Sequence, residues 1–282
     1  MFSAMDRRPF IKMHGLGNDF VIVDAREVPF APTPSQAQRI ADRHFGVGCD
    51  QLIVLEPPQD AAAQVFMRIF NADGSQAEAC GNATRCVARL GFEETGQTPA
   101  IETIVGVLPT RRLDDGRYSV GMGPAHLGWQ AIPLAQDVDT AFLPELVPGL
   151  GQPAAVSVGN PHCVFFVDDA DALDFAPIGA EIETHALFPN RTNVQFVTPT
   201  GPDSTRQRVW ERGVGVTGAS GSGACAGAIA AIRRGLVAGP VKVQLDGGVL
   251  EIDWDQSVNQ ITMTGGASHA FSGQLSADLL HD

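Results

Sequence analysis

The stretch NADGSQAEACGNATRC, residues 71–86, sets a thiol, Cys80, directly before Gly81-Asn82 and a short apolar run. Ala83, Val87 and Leu90 share one face at helical spacing, which predicts a helix that opens at Gly81-Asn82 and stops at Gly91. A side chain at a helix N-terminus meets unpaired N–H groups and the positive end of the macrodipole. A thiolate is favoured there, and a ligand carboxylate can be held beside it. A base next to a bound carboxylate is what removal of the proton α to that carboxylate requires. The plain alternative is a buried Cys in a helix cap, and position alone leaves the two even, because free Cys is among the most buried residue types.

The motif has a counterpart 140 residues later, where Ser220-Gly221-Ser222 leads into a second apolar helix over Ala224–Ile232. Nine residues before each motif a polar residue closes a strand-like run: Asn71 after VFMRIF and Glu211 after QRVW. Gly17-Asn18 leads into FVIVD, and Gly159-Asn160 leads through Pro161-His162 into CVFFVD, at an offset of 142. Thirty-three residues after each Asn an amide precedes another β-type run, Gln51 before LIVL and Asn193 before VQFV. Four pairs in one order describe a diverged duplication. Two such halves facing each other would bring two helix N-termini to one interdomain cleft, lined by Asn18, Gln51, Asn71, Asn160 and Asn193. That is a polar, neutral lining suited to a small zwitterion, although each amide alone is equally a turn former.

Positioning these residues takes many strands and few helices. Lys12–Asp24 reads as a glycine turn and a strand, Ser35 as the cap of a helix running to about Arg43, and 65–70 as a strand. Runs at 101–107 and 117–122 alternate as half-buried strands do, and residues 1–9 read as a loose start. The second half is expected to place strands at 154–158, 163–167, 194–198, 206–211, 241–245, 249–253 and 260–264, around a helix apolar nearly all round and therefore buried. The Gly- and Pro-rich segment 121–153 marks the domain boundary near its start. The pattern is α+β, in two domains, 1–124 and 125–269.

Composition narrows the classes. At 282 residues two domains can each bury a core. Net charge is −13, which argues against nucleic-acid and acidic-membrane partners. No signal peptide and no long uncharged apolar run are evident, so a cytoplasmic protein is expected. Five cysteines without a CxxC pair indicate neither a disulfide framework nor a metal site. Gly213–Gly218 spells GxGxxG between a strand and a helix. The acidic residue expected about 20 positions on is missing, however, and no βαβ unit surrounds the motif. With only Lys12 and Lys242 available, a pyridoxal Schiff base is poorly supported, and no cofactor is expected. His162 is more often a structural donor than a catalyst; its place in the loop paired with Asn18 favours the site. Glu211-Arg212 is an ordinary surface pair unless it faces a cleft, where it would meet an ammonium and a carboxylate.

As a set, KMHGLGNDFV, GCDQ, NADGSQAEACGNATRC, GNPHCV, RTNVQFV, WERGVG and GSGACA resemble the motifs of the diaminopimelate epimerase family, from about residue 10 to 265. The resemblance implies two pseudosymmetric α/β domains, each a mainly antiparallel strand layer wrapped around a central helix, in a homodimer. Residues from about 270 to 282 would return to the first domain. It implies PLP-independent epimerisation of LL-2,6-diaminopimelate to the meso form, in lysine and peptidoglycan precursor synthesis. Cys80 would work on one face of the α-carbon and a second cysteine on the other. The α-carboxylate would lie at Gly81-Asn82 and Gly221-Ser222. Asn71, Asn160, Asn193 and Arg212 would read the distal carboxylate of this diamino dicarboxylic acid. Asn18 and Gln51 would help at the distal centre, with Glu211 and His162 close to the reacting group.

The departure falls at the second cysteine. The family's ACGSGACA stands here as ASGSGACA, with Ser220 in the catalytic position, and Cys225 lies over a turn too far along to replace it. Val216 also replaces a commonly acidic neighbour. Epimerisation is therefore expected to be impaired, because no neighbouring base for a serine hydroxyl is visible in the sequence. A one-base lyase or dehydratase of the same superfamily is one alternative, and a non-catalytic amino-acid-binding protein is another.

Overall fold

The computed structural model describes residues 7–280. Within residues 1–9, the expected loose start therefore falls outside the described chain for residues 1–6. In chain order the elements are β1 (Arg8–Gly15), β2 (Asn18–Asp24), α1 (Pro34–Ala41), β3 (Gln51–Glu56), β4 (Val65–Asn71), β5 (Gln76–Ala77), α2 (Gly81–Thr95), β6 (Ile101–Thr103), β7 (Gly106–Leu108), β8 (Thr110–Arg112) and β9 (Tyr118–Gly123). They continue with β10 (Ala154–Ser157), β11 (Pro161–Phe166), α3 (Ala176–Glu183), β12 (Asn193–Gly201), β13 (Ser204–Glu211), β14 (Gly215–Thr217), α4 (Gly221–Arg233), β15 (Val241–Leu245), β16 (Gly248–Asp255), β17 (Gln260–Gly265), β18 (Ser268–Leu275) and α5 (Ala277–Leu280).

Two compact units result. One runs to Val120 and resumes at Gly265; the other is Gly121–Thr264, and the first cut falls within β9. The sheet of the first unit is ordered β18-β1-β2-β3-β4-β6-β7, with β5 beside β4. From β1 to β7 the pairings alternate antiparallel, parallel, antiparallel, parallel, antiparallel. The second sheet, from β10 through β11, β12, β13 and β15 to β16, repeats that alternation, with β14 beside β13. Helices are inserted at matching places: α1 and α3 in the first crossover, α2 and α4 in the second. The fold is two pseudosymmetric α/β units, each a mixed sheet around one central helix.

Packing explains why the central helices are so apolar. Ala83, Cys86, Val87 and Ala88 of α2 pack against Met13, Phe20, Ile22, Ile53, Met67 and Ile69 from one face of the first sheet. The other face buries Val21, Val23, Leu52 and Val54 under α1 and Leu275. In the second unit α4 is buried over nearly its whole length, Gly221 to Ala231. The opposite sheet face carries Phe165 stacked on Phe196 beneath α3 and the Gly/Pro-rich segment, which contributes Ile132, Leu134 and Leu143. Each such fully buried side chain contributes about 1.5–3 kcal/mol.

Several local expectations need correction. The helix after Cys80 passes Gly91 and ends at Thr95, capped by Gly96 at φ 76°. Gly91 is a close-approach residue instead, since a Cβ there would lie 2.6 Å from Cδ of Pro99. Thr33, not Ser35, caps α1: its hydroxyl accepts from Gln36 N, and Gln36 reaches back in a capping box. KMHG belongs to β1, paired with β2 across the Leu16-Gly17 turn, so the expected glycine turn and strand form the second half of a hairpin. The run 101–107 is likewise the hairpin β6–β7. Gly213–Gly218 folds back as β14 on β13, which accounts for its glycines without any nucleotide cradle. Neither α3 nor β18 was evident from periodicity.

Candidate active site

Cys80 occupies the N-cap of α2 with extended backbone (φ −150°, ψ 107°) and is half-buried. Thr84 fixes this cap by donating both its N–H (2.9 Å) and its hydroxyl (2.8 Å) to the Cys80 carbonyl. The sulfur lies 3.8 Å from Oδ1 of Asn18, which also accepts from Asn82 Nδ2 at 3.1 Å. Asn18 in turn donates from Nδ2 to the Asp50 carboxylate at 2.8 Å. Gln51 and Asn71, opposite each other in the β3–β4 register, are joined by an amide hydrogen bond of 3.0 Å. Asn71 then donates to Ser75 Oγ at 3.0 Å, so its loop is held to the strand end.

Ser220 is the matching N-cap of α4 (φ −123°, ψ 117°) and is buried. Its Oγ accepts from Gly223 N at 3.3 Å and donates to Glu211 Oε2 at 2.9 Å. Thr217 donates to the other carboxylate oxygen at 2.6 Å. The Ser220 hydroxyl therefore has a carboxylate as its acceptor, a partner that the sequence did not reveal. Glu211 closes β13, and the β13–β14 hairpin folds back to bring Thr217 beside it. Glu183 of α3 steadies that turn, accepting from Trp210 Nε1 (2.7 Å) and Gly213 N (3.0 Å).

Asn160 reaches the second residue of α4, donating to Ser222 Oγ at 3.4 Å, much as Asn18 meets Asn82 in the first unit. His162 stands one step behind. It is wholly buried, and Nε2 lies 2.7 Å from Asn160 Oδ1. Burial pushes its pKa down to about 3, so the ring is neutral and serves as a hydrogen-bond donor. Asn193 accepts from Arg212 N at 2.9 Å and donates to the Pro161 carbonyl at 3.0 Å. The Arg212 side chain is exposed and donates to the Asn190 carbonyl at 3.1 Å. Gly81, Gly221 and Ser222 open their helices, with Gly81 and Gly221 buried.

Sequence reasoning missed Asp50 and Thr217. Asp50 lay in the GCDQ motif but, as a single Asp before an amide, carried no distinguishing signal. Thr217 lay inside the GxGxxG string and was masked by that pattern. Among the described residues no group of three His, Cys, Asp or Glu side chains is placed to hold a metal, and no helix is long and apolar enough to cross a membrane. The five cysteines form no disulfide. Burial raises the thiols of Cys49 and Cys86 to about 12, and that of Cys163 higher still.

The diaminopimelate epimerase family model matches residues 10–128 and 154–270. A diaminopimelate epimerase of Rhodospirillum centenum is 51% identical over 97% of this chain and 94% of its own length. The chain belongs to the diaminopimelate epimerase family. A second diaminopimelate epimerase, from Rhizorhabdus wittichii, is 52% identical over 94% of both chains. Among solved structures, a phenazine biosynthesis protein of the PhzF family from Bacillus anthracis superposes with a TM-score of 0.66 over 95% of this chain and 99% of that one. Its identity is 15%, so it speaks for the fold alone.

Proposed function

We propose that this protein catalyses the reaction of its family, the PLP-independent epimerisation of LL-2,6-diaminopimelate to the meso form, with Cys80 and the Ser220–Glu211 pair as the two proton-handling groups. The observation that carries this reading is the Ser220 Oγ–Glu211 Oε2 hydrogen bond of 2.9 Å at the N-cap equivalent to Cys80. Epimerisation needs acid and base on opposite faces of one α-carbon. In one direction Ser220 Oγ takes the α-proton while its own proton passes to the Glu211 carboxylate. The Cys80 thiol then gives its proton to the other face, leaving a thiolate. In the reverse direction the Cys80 thiolate removes the proton, and Ser220 returns one drawn from the protonated Glu211. Solvent exchange resets both groups.

The α-carboxylate is assigned to the helix starts Gly81-Asn82 and Gly221-Ser222, where N–H groups favour an anion. Asn71, Asn160, Asn193 and Arg212 are assigned to the distal carboxylate, with Asn18 and Gln51 at the distal centre. We further assign the protein to lysine and peptidoglycan precursor synthesis, in the cytoplasm and as a homodimer. The net cycle is slower than with two thiols, because a serine hydroxyl works only through Glu211.

The test is incubation with LL-diaminopimelate in D₂O. Deuterium entry at the α-carbon with meso product supports the reading. Loss of water or ammonia would point to a lyase, and binding without exchange to a non-catalytic binder.

A further inference from the structure

Resting on the assignment of Cys80 as a proton-handling group, we propose that Asp50 is a positioning residue that acts on Cys80 through Asn18. A carboxylate only accepts hydrogen bonds, so the 2.8 Å contact between Asp50 and the Asn18 side chain must be made by the Asn18 NH₂. That leaves the Asn18 carbonyl oxygen pointing the other way, at Asn82 Nδ2 (3.1 Å) and the Cys80 sulfur (3.8 Å). Turning the amide over would set a carbonyl oxygen against the Asp50 carboxylate, which is repulsive; the Asn82 amide, whose own Oδ1 makes no hydrogen bond, can turn to follow Asn18, so Asp50 is what fixes the orientation.

Asp50 is itself held firmly. Its Oδ2 also accepts from Asp19 N at 3.0 Å, and its Oδ1 takes Arg43 NH2 at 2.7 Å. Arg43 bridges to Asp19 at 2.7 Å, and Asp19 is further paired with Lys12. On α2 itself Arg85 is fully buried and donates from Nε to the Gly266 carbonyl at 3.2 Å. The surface charge cluster thus fixes which end of a neutral amide the sulfur meets. An acceptor facing sulfur holds the S–H proton in place. A donor facing it would favour the thiolate.

The readout is the rate of Cys80 alkylation by iodoacetamide at pH 7, followed by mass mapping, which needs no substrate turnover. Asp50→Ala frees the Asn18 amide to turn its NH₂ to the sulfur, and alkylation is expected to speed up about fivefold, the equivalent of one hydrogen bond. Asp50→Asn removes the same charge but keeps an oxygen for the Asn18 NH₂, so its rate is expected to stay within about twofold of the parent. Both variants lose the Asp50–Arg43 ion pair, and Asp50→Ala also loses the hydrogen bonds from Asn18 and Asp19 N, so its melting temperature should fall further than that of Asp50→Asn. Equal acceleration in both would mean that charge alone acts and would overturn the proposal; so would an unchanged or slower rate in Asp50→Ala. Should Asp50→Ala fail to fold, Asn18→Ala removes the same carbonyl, and an unchanged alkylation rate there is equally fatal. If the parent exchanges no α-proton in D₂O while these rates move as expected, the functional assignment fails and the positioning of Cys80 stands.

Discussion

Glu211→Gln is the most direct perturbation of the proposed chemistry. Both carboxylate oxygens are occupied, one by Thr217 at 2.6 Å and the other by Ser220 at 2.9 Å, and such charge-assisted contacts are the stronger kind. The amide keeps size and shape but offers one acceptor and one NH₂. One hydroxyl must reverse to accept, and in neither orientation is there a group that can take the Ser220 proton. A positioned general base is worth about 10²–10⁴ in rate, or roughly 3–5 kcal/mol at 1.36 kcal/mol per decade. The expected loss is one-sided. The α-hydrogen of one stereocentre configuration faces Ser220 and that of the other faces Cys80. Deuterium exchange followed by NMR, under saturating LL- and meso-diaminopimelate in turn, should fall about 10²–10⁴-fold for the Ser220-facing configuration. The other should stay within a few-fold, and calorimetric binding reports separately on any contact of Glu211 with substrate. Equal loss for both configurations would make Glu211 a binding or structural group. No loss for either would remove it from the chemistry.

Three further outcomes can be checked. Ser220→Cys should raise net epimerisation by about 10²-fold or more, because a thiol near pKa 8.5 can carry its own proton; a coupled assay showing no gain would mean that Ser220–Glu211 is already competent. His162, pushed down to about 3 by burial from an ordinary 6.5, stays neutral in the folded chain while the unfolded chain takes up a proton. Stability should therefore fall as pH drops from about 6.5 toward 3, by up to about 1.4 kcal/mol per pH unit from this group; urea unfolding of His162→Gln should show an acid limb flatter by about one proton, and an unchanged slope refutes the assignment. Gly91→Ala would normally gain up to about 1 kcal/mol of helix propensity, but its Cβ would sit 2.6 Å from the Pro99 ring. Overpacking of about 1–3 kcal/mol should win, so a raised melting temperature would contradict the packing described.

Much of the scaffold was legible because its signals are local. Strands β15 and β17 follow from short-range alternation or apolar runs, as does the apolar helix α4. The internal repeat was readable because a duplicated chain keeps its spacing even where side chains change, so Cys80 and Ser220 could be paired by position alone. Helix ends were less legible. Gly91 and Gly96 are both plausible stops by residue type, and only the approach of Pro99 explains why the first is interior. The parallel pairings β2–β3 and β11–β12 and the edge strand β18 depend on partners far along the chain, which no short window reports.

By itself, then, the amino-acid sequence determined the family, the two-unit plan and the side chains at the two helix starts, because residue type and spacing are properties of the chain. It could not determine what those side chains face. That Ser220 donates to Glu211 depends on a hairpin, β13–β14, folding back to bring Thr217 and Glu211 together. That Cys80 meets a carbonyl oxygen, and not an NH₂, depends on a carboxylate 30 residues away in sequence, Asp50, taking the other end of Asn18. Hydrogen bonds are short-ranged and directional, so donors, acceptors and the sulfur acquire their roles only when tertiary packing sets them a few ångströms apart.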